Sequence, residues 1–261
     1  MDAYKKVQAA RAKERPRGKE FIKNLFTDFT EMHGDRRFSD DKAILAGIAL
    51  LNDMPVTVIA HERGGDTKER VERNFGSAHP EGYRKALRQM KLAEKFGRPV
   101  VCLVDTAGAY CGMGAEERGQ GQAIAENMME MMTLEVPVIT LLIGEGGSGG
   151  ALGLAVADEV WMMENSIYSV ISPEGCASIL WKDSAKVREA AECLKLTAED
   201  LKGLGVVEEV IPELHGDFSY VYSKLQKKLY DTLKEKSALP AERLTKERYE
   251  RFRRIGEFKE C

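Results

Sequence analysis

Two glycine-rich runs hold the residue types and spacings best suited to chemistry. One is Ile143-Gly144-Glu145-Gly146-Gly147-Ser148-Gly149-Gly150-Ala151. The other is Asp105-Thr106-Ala107-Gly108-Ala109-Tyr110-Cys111-Gly112-Met113-Gly114. Each follows an apolar run and opens a helical pattern. Backbone N–H groups at a helix start lack intrahelical partners and carry partial positive charge. Glycines let a ligand approach that backbone closely. Such a run suits an anion, or an oxyanion that develops during reaction.

The 143–151 run admits three readings. Gly144, Gly146 and Gly149 fit the dinucleotide fingerprint GxGxxG, with Glu164 about 20 residues on as the ribose-binding acid. The chain would then be an NAD(P)-binding dehydrogenase. That fingerprint normally follows the first strand of its fold, whereas strand–helix units precede it here. Gly146, Ser148 and Gly150 fit the nucleophile elbow GxSxG, for which His215 is the one downstream histidine. The third reading joins both runs. They lie about one strand–helix unit apart, which places both on one edge of a sheet. Two glycine-lined helix starts side by side suit chemistry through oxyanions such as thioester enolates. Tight packing of a glycine-rich helix start on its sheet is compatible with all three.

The elements that position these runs are legible as periodicity. Residues 1–34 read as charged helix and turn, with Phe21, Ile22, Leu25, Phe26 and Phe29 on one face. That face packs on the body or binds a partner. Residues 43–51 and 55–61 read as a strand pair around Asn52-Asp53. Residues 81–96 form an amphipathic helix that stops at Gly97. Strands are expected at 99–104 and 136–143, because continuous apolar runs mark strands buried on both faces. Helices are expected at 115–133 and 151–157. Shorter strands follow at 160–163, 167–171 and 206–211. From Phe218 the chain is charged and helical, and Arg248, Arg251, Arg253 and Arg254 give its end a basic face. That face is either solvated or a binding surface. The pattern of strand, glycine run and helix builds layered α/β folds.

Composition narrows the function classes. Against 39 Lys plus Arg stand 42 Asp plus Glu, a net charge of −3 that calls for no nucleic acid. No apolar run reaches a membrane span, and the opening MDAYKKVQAARAKERPRGKE has no apolar core of a leader, so a cytoplasmic location is expected. Cysteines 102, 111, 176, 193 and 261 form no CxxC pair, and histidines 33, 61, 79 and 215 are scattered, so no metal site is expected.

Five longer runs carry a resemblance. They are GDRRFSDDKAILAGIA (34–49), NFGSAHPEGYRKALRQMKLAEKF (74–96), DTAGAYCGMGAEERGQGQAIAEN (105–127), IGEGGSGGALGLAVAD (143–158) and YSVISPEGCASILWK (168–182). Together they resemble the alpha subunit of bacterial acetyl-coenzyme A carboxylase carboxyltransferase, from about residue 4 through LTKERYERF (244–252). The resemblance implies an α/β, crotonase-like superhelix of ββα units flanked by N- and C-terminal helices. It implies a single domain over 1–261, with an N-terminal helical segment at 1–34, the core at 35–213 and C-terminal helices at 214–261.

It implies transfer of a carboxyl group from carboxybiotin to acetyl-coenzyme A, giving malonyl-coenzyme A for fatty acid biosynthesis. The implied partners are a beta subunit in an α2β2 assembly, the biotin carboxyl carrier protein and biotin carboxylase. Zinc is expected in the beta subunit, which also supplies most coenzyme A contacts. The chain departs from the family pattern in three places. The N-terminal extension of many members is mostly absent, which is expected to weaken some subunit contacts. Ala107 and Cys111 replace two prolines, which loosens the free loop. The stretch His61-Glu62-Arg63-Gly64-Gly65-Asp66 replaces a more basic one, with Lys68 and Arg70 as substitutes.

Two oxyanions develop in such a transfer, one on biotin and one on the thioester. The biotin oxyanion is assigned to this chain, with Gly149 and Gly150 as backbone donors. Gly108, Tyr110, Gly112, Gly146 and Gly147 are expected to line the carboxybiotin pocket. Ser148 is either a small spacer or catalytic, and Arg118 either an ion-pair partner or a site charge. Met128, Met129, Met131 and Met132 read as packing.

Overall fold

The computed structural model describes residues 2–257; Cys261 lies outside them. The chain opens with α1 (Ala3–Ala10), whose cap Asp2 accepts from the Lys5 N–H, then α2 (Gly18–Leu25). The first difference from expectation follows at once. Residues after Phe26 leave the helix and form strand β1 (Thr27–Glu31). The open edge of β2 (Ile44–Leu51) is available there, and β1 pairs antiparallel with it. Phe29 therefore packs from a strand, while Phe21, Ile22, Leu25 and Phe26 are buried as expected. Strand β3 (Met54–His61) returns from the Asn52-Asp53 turn, where Asn52 takes φ +54.

A short helix α3 (Thr67–Glu72) precedes α4 (Pro80–Lys95), which ends before Gly97 at φ +63. Strand β4 (Val100–Thr106) leads to α5 (Met113–Glu117) and α6 (Gln120–Thr133). The expected single helix is split here, because Gly119 turns to φ +82. Strand β5 (Val138–Gly147) is longer than its apolar run, and α7 (Ser148–Leu152) begins and ends earlier than the expected 151–157 helix. Strands β6 (Glu159–Met163) and β7 (Ile167–Ser169) follow.

Like α3, the helices α8 (Pro173–Trp181), α9 (Val187–Cys193) and α10 (Ala198–Gly203) were not expected. The start of α8 was legible, since Ser172 caps Gly175 N–H and Pro173 opens the helix. Its far end leaves Ile179 and Leu180 exposed. Strand β8 (Glu209–Ile211) and the long helices α11 (Phe218–Ser237) and α12 (Ala241–Arg254) complete the order.

The strands form one sheet in the order β1-β2-β3-β4-β5-β6-β8, with β7 paired to the far end of β5. From β3 to β8 every pairing is parallel. Both faces are covered, which is why the central strands read as unbroken apolar runs. Val100, Cys102 and Val104 point to α4 and α6, where Tyr83, Met90 and Met131 pack. Val101 and Leu103 point to α2 and α11, against Phe21 and Leu229. Met131 is buried and Met129 exposed, so the methionine run is mainly packing.

The C-terminal arginines correct the expectation of a uniform basic face. Arg253 and Arg254 are exposed, but Arg248 and Arg251 are buried. Arg248 Nε and Nη2 grip the Asp158 carboxylate at 2.9 and 3.0 Å. The same guanidinium donates to the carbonyls of Met131, Leu134 and Val136. Arg251 pairs with Glu208 at 2.6 Å. Helix α12 is thereby tied to the carbonyl ends below α6 and to the start of β6. Removing one partner leaves a buried charge unpaired. Arg248→Ala is expected to lose about 3–5 kcal/mol of stability, read as a lower urea midpoint at unchanged slope. Arg248→Lys should recover little of it, because an ammonium cannot reproduce the fork.

Candidate functional site

The two glycine runs meet where β4 and β5 end. In the parallel ladder Val104 faces Leu142, but the next pair is Thr106 with Gly146. Residues 143–145 thus stand opposite Asp105 alone, a bulge of two extra residues. At the bulge β5 also changes neighbour. It pairs with β6 up to Leu142 and with β7 from Glu145 onward.

Side chains bind the bulge where the ladder does not. Arg15, between α1 and α2, donates from Nε to the Ile143 carbonyl at 2.5 Å and forms a buried pair with Glu213 at 2.7 Å. The Glu145 N–H donates to Asp105 Oδ1 at 3.0 Å. The Glu145 carboxylate pairs with Arg11 at 2.6 Å, and Arg11 reaches Glu174 at the start of α8 at 2.9 Å. A methyl on Gly144 would lie 2.3 Å from Asp105 Oδ1, so only glycine fits there.

Past the bulge the backbones touch. A Cβ on Gly147 would lie 2.1 Å from the Ala107 carbonyl oxygen, and one on Gly150 2.5 Å from Ala109 N. Thr106 shapes the facing loop, since its Oγ accepts from the Gly108 N–H and donates to the Gly108 carbonyl. Ser148 turns the strand into α7 at φ +52, a conformation unfavourable for a residue with a side chain. Gly149 and Gly150 follow in the first turn of α7, where N–H groups have no upstream helical acceptor. Gly149 is open, with its nearest neighbour, Ile124, at 3.8 Å. Beside it runs an apolar groove of about 370 Å³, lined by Leu152, Tyr168, Val170, Leu201 and Phe252.

The remaining expected residues are placed as follows. Gly108 takes φ +151 and has free space at its Cβ position. Gly146 and Gly147 lie in strand β5 rather than in a loop, Gly146 packed by Leu142 and Tyr168. Tyr110 is partly exposed and stacks on His79 at 4.1 Å between centroids. Its ring covers Gly112, which caps α5. Arg118 forms an ion pair with Glu81 at 2.7 Å and lies over Phe38. Lys68 is exposed, while Arg63 turns inward to Asp105 at 2.7 Å. The Asp105–Arg63 pair, Arg11 and Arg15 were missed by sequence reasoning. Only the acid at the end of an apolar run marked Asp105.

Burial sets the protonation of the nearby groups. The Asp105 carboxyl is pushed up to about 6 by burial, with Arg63 pulling the other way. Burial pushes the Tyr168 hydroxyl up to about 12 and holds the His61 imidazole down at about 4. The dinucleotide reading does not survive this geometry. Gly144 and Gly146 lie within a strand and their free faces are filled by Asp105, Leu142 and Tyr168, leaving no room for a pyrophosphate.

The comparisons place the chain in a family. The family described as acetyl co-enzyme A carboxylase carboxyltransferase-like matches residues 1–256. An acetyl-coenzyme A carboxylase carboxyl transferase subunit alpha from Ruminiclostridium cellulolyticum is 68% identical over 256 residues, 98% of either chain. The subunit of that name from Bacillus cytotoxicus is 57% identical, over 98% of this chain and 81% of its own. A solved transcarboxylase 12S with methylmalonyl-coenzyme A bound aligns at TM-score 0.69 and 19% identity, over 84% of this chain and 42% of that one. The last likeness speaks for the fold alone, which is crotonase-like. Sequence identity across nearly the whole chain, and two glycine segments in backbone contact, make this protein a member of the family of acetyl-coenzyme A carboxylase carboxyltransferase alpha subunits.

Proposed function

We propose that this chain forms the carboxybiotin side of a split site that converts acetyl-coenzyme A to malonyl-coenzyme A for fatty acid biosynthesis. A beta subunit completes the site in an α2β2 assembly and brings the coenzyme A contacts and a zinc ribbon. The biotin carboxyl carrier protein presents carboxybiotin, which biotin carboxylase has loaded. The assembly works in the cytoplasm, and residues 1–261 act as one carboxyltransferase domain.

The observation that carries this reading is the contact of Gly147 and Gly150 with the 107–109 backbone. It leaves Ser148 exposed and Gly149 half-buried beside an apolar groove, with Gly150 buried behind them. Carboxybiotin, a substrate here, supplies the carboxyl group and gains negative charge on its ureido oxygen as that group leaves. The N–H groups of Gly149 and Gly150, fixed in the helical turn, would hold that oxygen with little reorganisation. One such donor is worth roughly 3–4 kcal/mol of barrier in comparable sites. Gly108 and Gly147 would flank them, while Gly146 is packed by Leu142 and Tyr168, and Gly112 by Tyr110, so these support the loops rather than touch the biotin ring. The apolar groove suits an uncharged ring and its alkyl arm, and it excludes water from the developing charge. No side chain of this chain is assigned as a general base.

Two measurements test the reading. Malonyl-coenzyme A decarboxylation with free biocytin should appear when the chain is mixed with its beta partner, and in neither subunit alone. No turnover from an assembled mixture overturns the split site. Gly150→Ala should lower kcat by about 100-fold or more, because its methyl would displace Ala109 and misalign the donors. Gly121→Ala, in α6 with free space around it, should match the wild type. Equal activity of all three in assembled enzyme removes the donor assignment.

A further inference from the structure

Asp105 is a buried charge at the edge of the glycine site. Its side chain is 1% exposed, at the end of a strand where Val101 and Leu103 on the same face are apolar. Oδ1 accepts from the Glu145 N–H, a bulge group that the β4–β5 ladder leaves unpaired. Oδ2 lies 2.7 Å from Arg63 Nε but makes no aligned hydrogen bond. Gly144 has lost its side chain to make room for this carboxylate. Five and six residues further along β5 and α7 stand Gly149 and Gly150.

We propose that Asp105 is a positioning residue, whose ionised carboxylate, held by Arg63, fixes the β5 bulge and thereby the placement of the Gly147–Gly150 backbone against Gly108 and Ala109. The inference rests on the carboxyltransferase reading above for its kinetic consequence, and on geometry alone for its structural one. A salt bridge kept only for stability would be a poor choice here, since taking a carboxylate out of water opposes folding. Against an ordinary value of 3.8, the folded carboxyl titrates at about 6, raised by burial and lowered in part by Arg63. The folded chain therefore binds this proton more tightly than the unfolded chain. Its stabilising contribution is complete below pH 3.8 and is lost as pH rises through about 6. The ionised form, which costs stability, is the one present at neutral pH.

The charges facing Asp105 are Arg63 from the loop after β3, Glu145 from β5 and Arg15 from the α1–α2 connection. His61 on β3 stays neutral down to about pH 4, because burial disfavours its charged form. Below about pH 6 the carboxyl is neutral, and its hold on Arg63 is gone.

The test uses the assembled enzyme with its beta partner and three chains: wild type, Asp105→Asn and Arg63→Gln. Wild-type kcat should fall as pH drops through about 6. Asp105→Asn should lower kcat by about 10–100-fold with KM changed less than about threefold, and should lose that acidic limb. Arg63→Gln should move the limb to higher pH, because the guanidinium no longer favours the carboxylate. Hydrogen exchange of peptides spanning 141–152 is measured in parallel and should quicken in Asp105→Asn. An Asp105→Asn enzyme with wild-type kcat and an intact acidic limb overturns the proposal. So does wild-type exchange across 141–152. If the wild-type assembly shows no turnover, the carboxyltransferase reading fails, and the exchange data still decide the positioning claim. If Asp105→Asn does not fold, Arg63→Gln decides it, and an unmoved limb together with unchanged exchange counts against it.

Discussion

The site depends on two stretches of backbone lying closer than any side chain allows. The Ala107 carbonyl fills the space of a Gly147 side chain, and the Ala109 amide that of Gly150. Everything beneath serves to hold this contact. The parallel sheet delivers both segments to one edge, and apolar cores on its two faces keep β4 and β5 from sliding. The bulge opposite Asp105 supplies the two extra residues that let β5 leave β6 and run beside β7. Interiors packed at crystal-like density transmit such constraints with little give.

The N-terminal segment belongs to this support. Arg15 binds the Ile143 carbonyl from outside the sheet, and Arg11 joins Glu145 to Glu174. Residues 11–15 therefore connect the bulge, α8 and the turn holding Glu213. At the opposite end, Arg248 binds Asp158 and three carbonyls. Arginine suits both places because one planar group can satisfy several acceptors at fixed angles.

Much of this was legible in sequence. The apolar runs at β4 and β5 announced strands covered on both faces, and the Tyr83–Met90–Ala93 face announced α4. The glycine runs named the site segments, and the long motifs named the family. Local pattern failed where tertiary pairing decided. Residues 145–147 look like loop, yet they extend β5 because β7 offers a partner. Residues 27–31 look like the tail of a helix, yet the edge of β2 captures them. Arg248 and Arg251 look like surface charge, since nothing local announces that Asp158 and Glu208, far back in the chain, wait for them. The role of Asp105 was hidden for the same reason: its partners, Arg63 and the Glu145 amide, are brought near only by the fold.

The buried Asp105 carboxylate has a consequence for how the sequence can drift. Domains of this kind hold only a modest margin of stability, and a group whose ionised form opposes folding reduces that margin. Elsewhere in the chain, substitutions that each weaken packing slightly are then less well tolerated. Selection for heat resistance alone would favour neutral side chains at positions 63 and 105 together, because losing the acid alone strands Arg63, whereas selection for turnover would retain the acid. The two pressures pull this pair of positions apart while leaving the surrounding apolar core under a common demand.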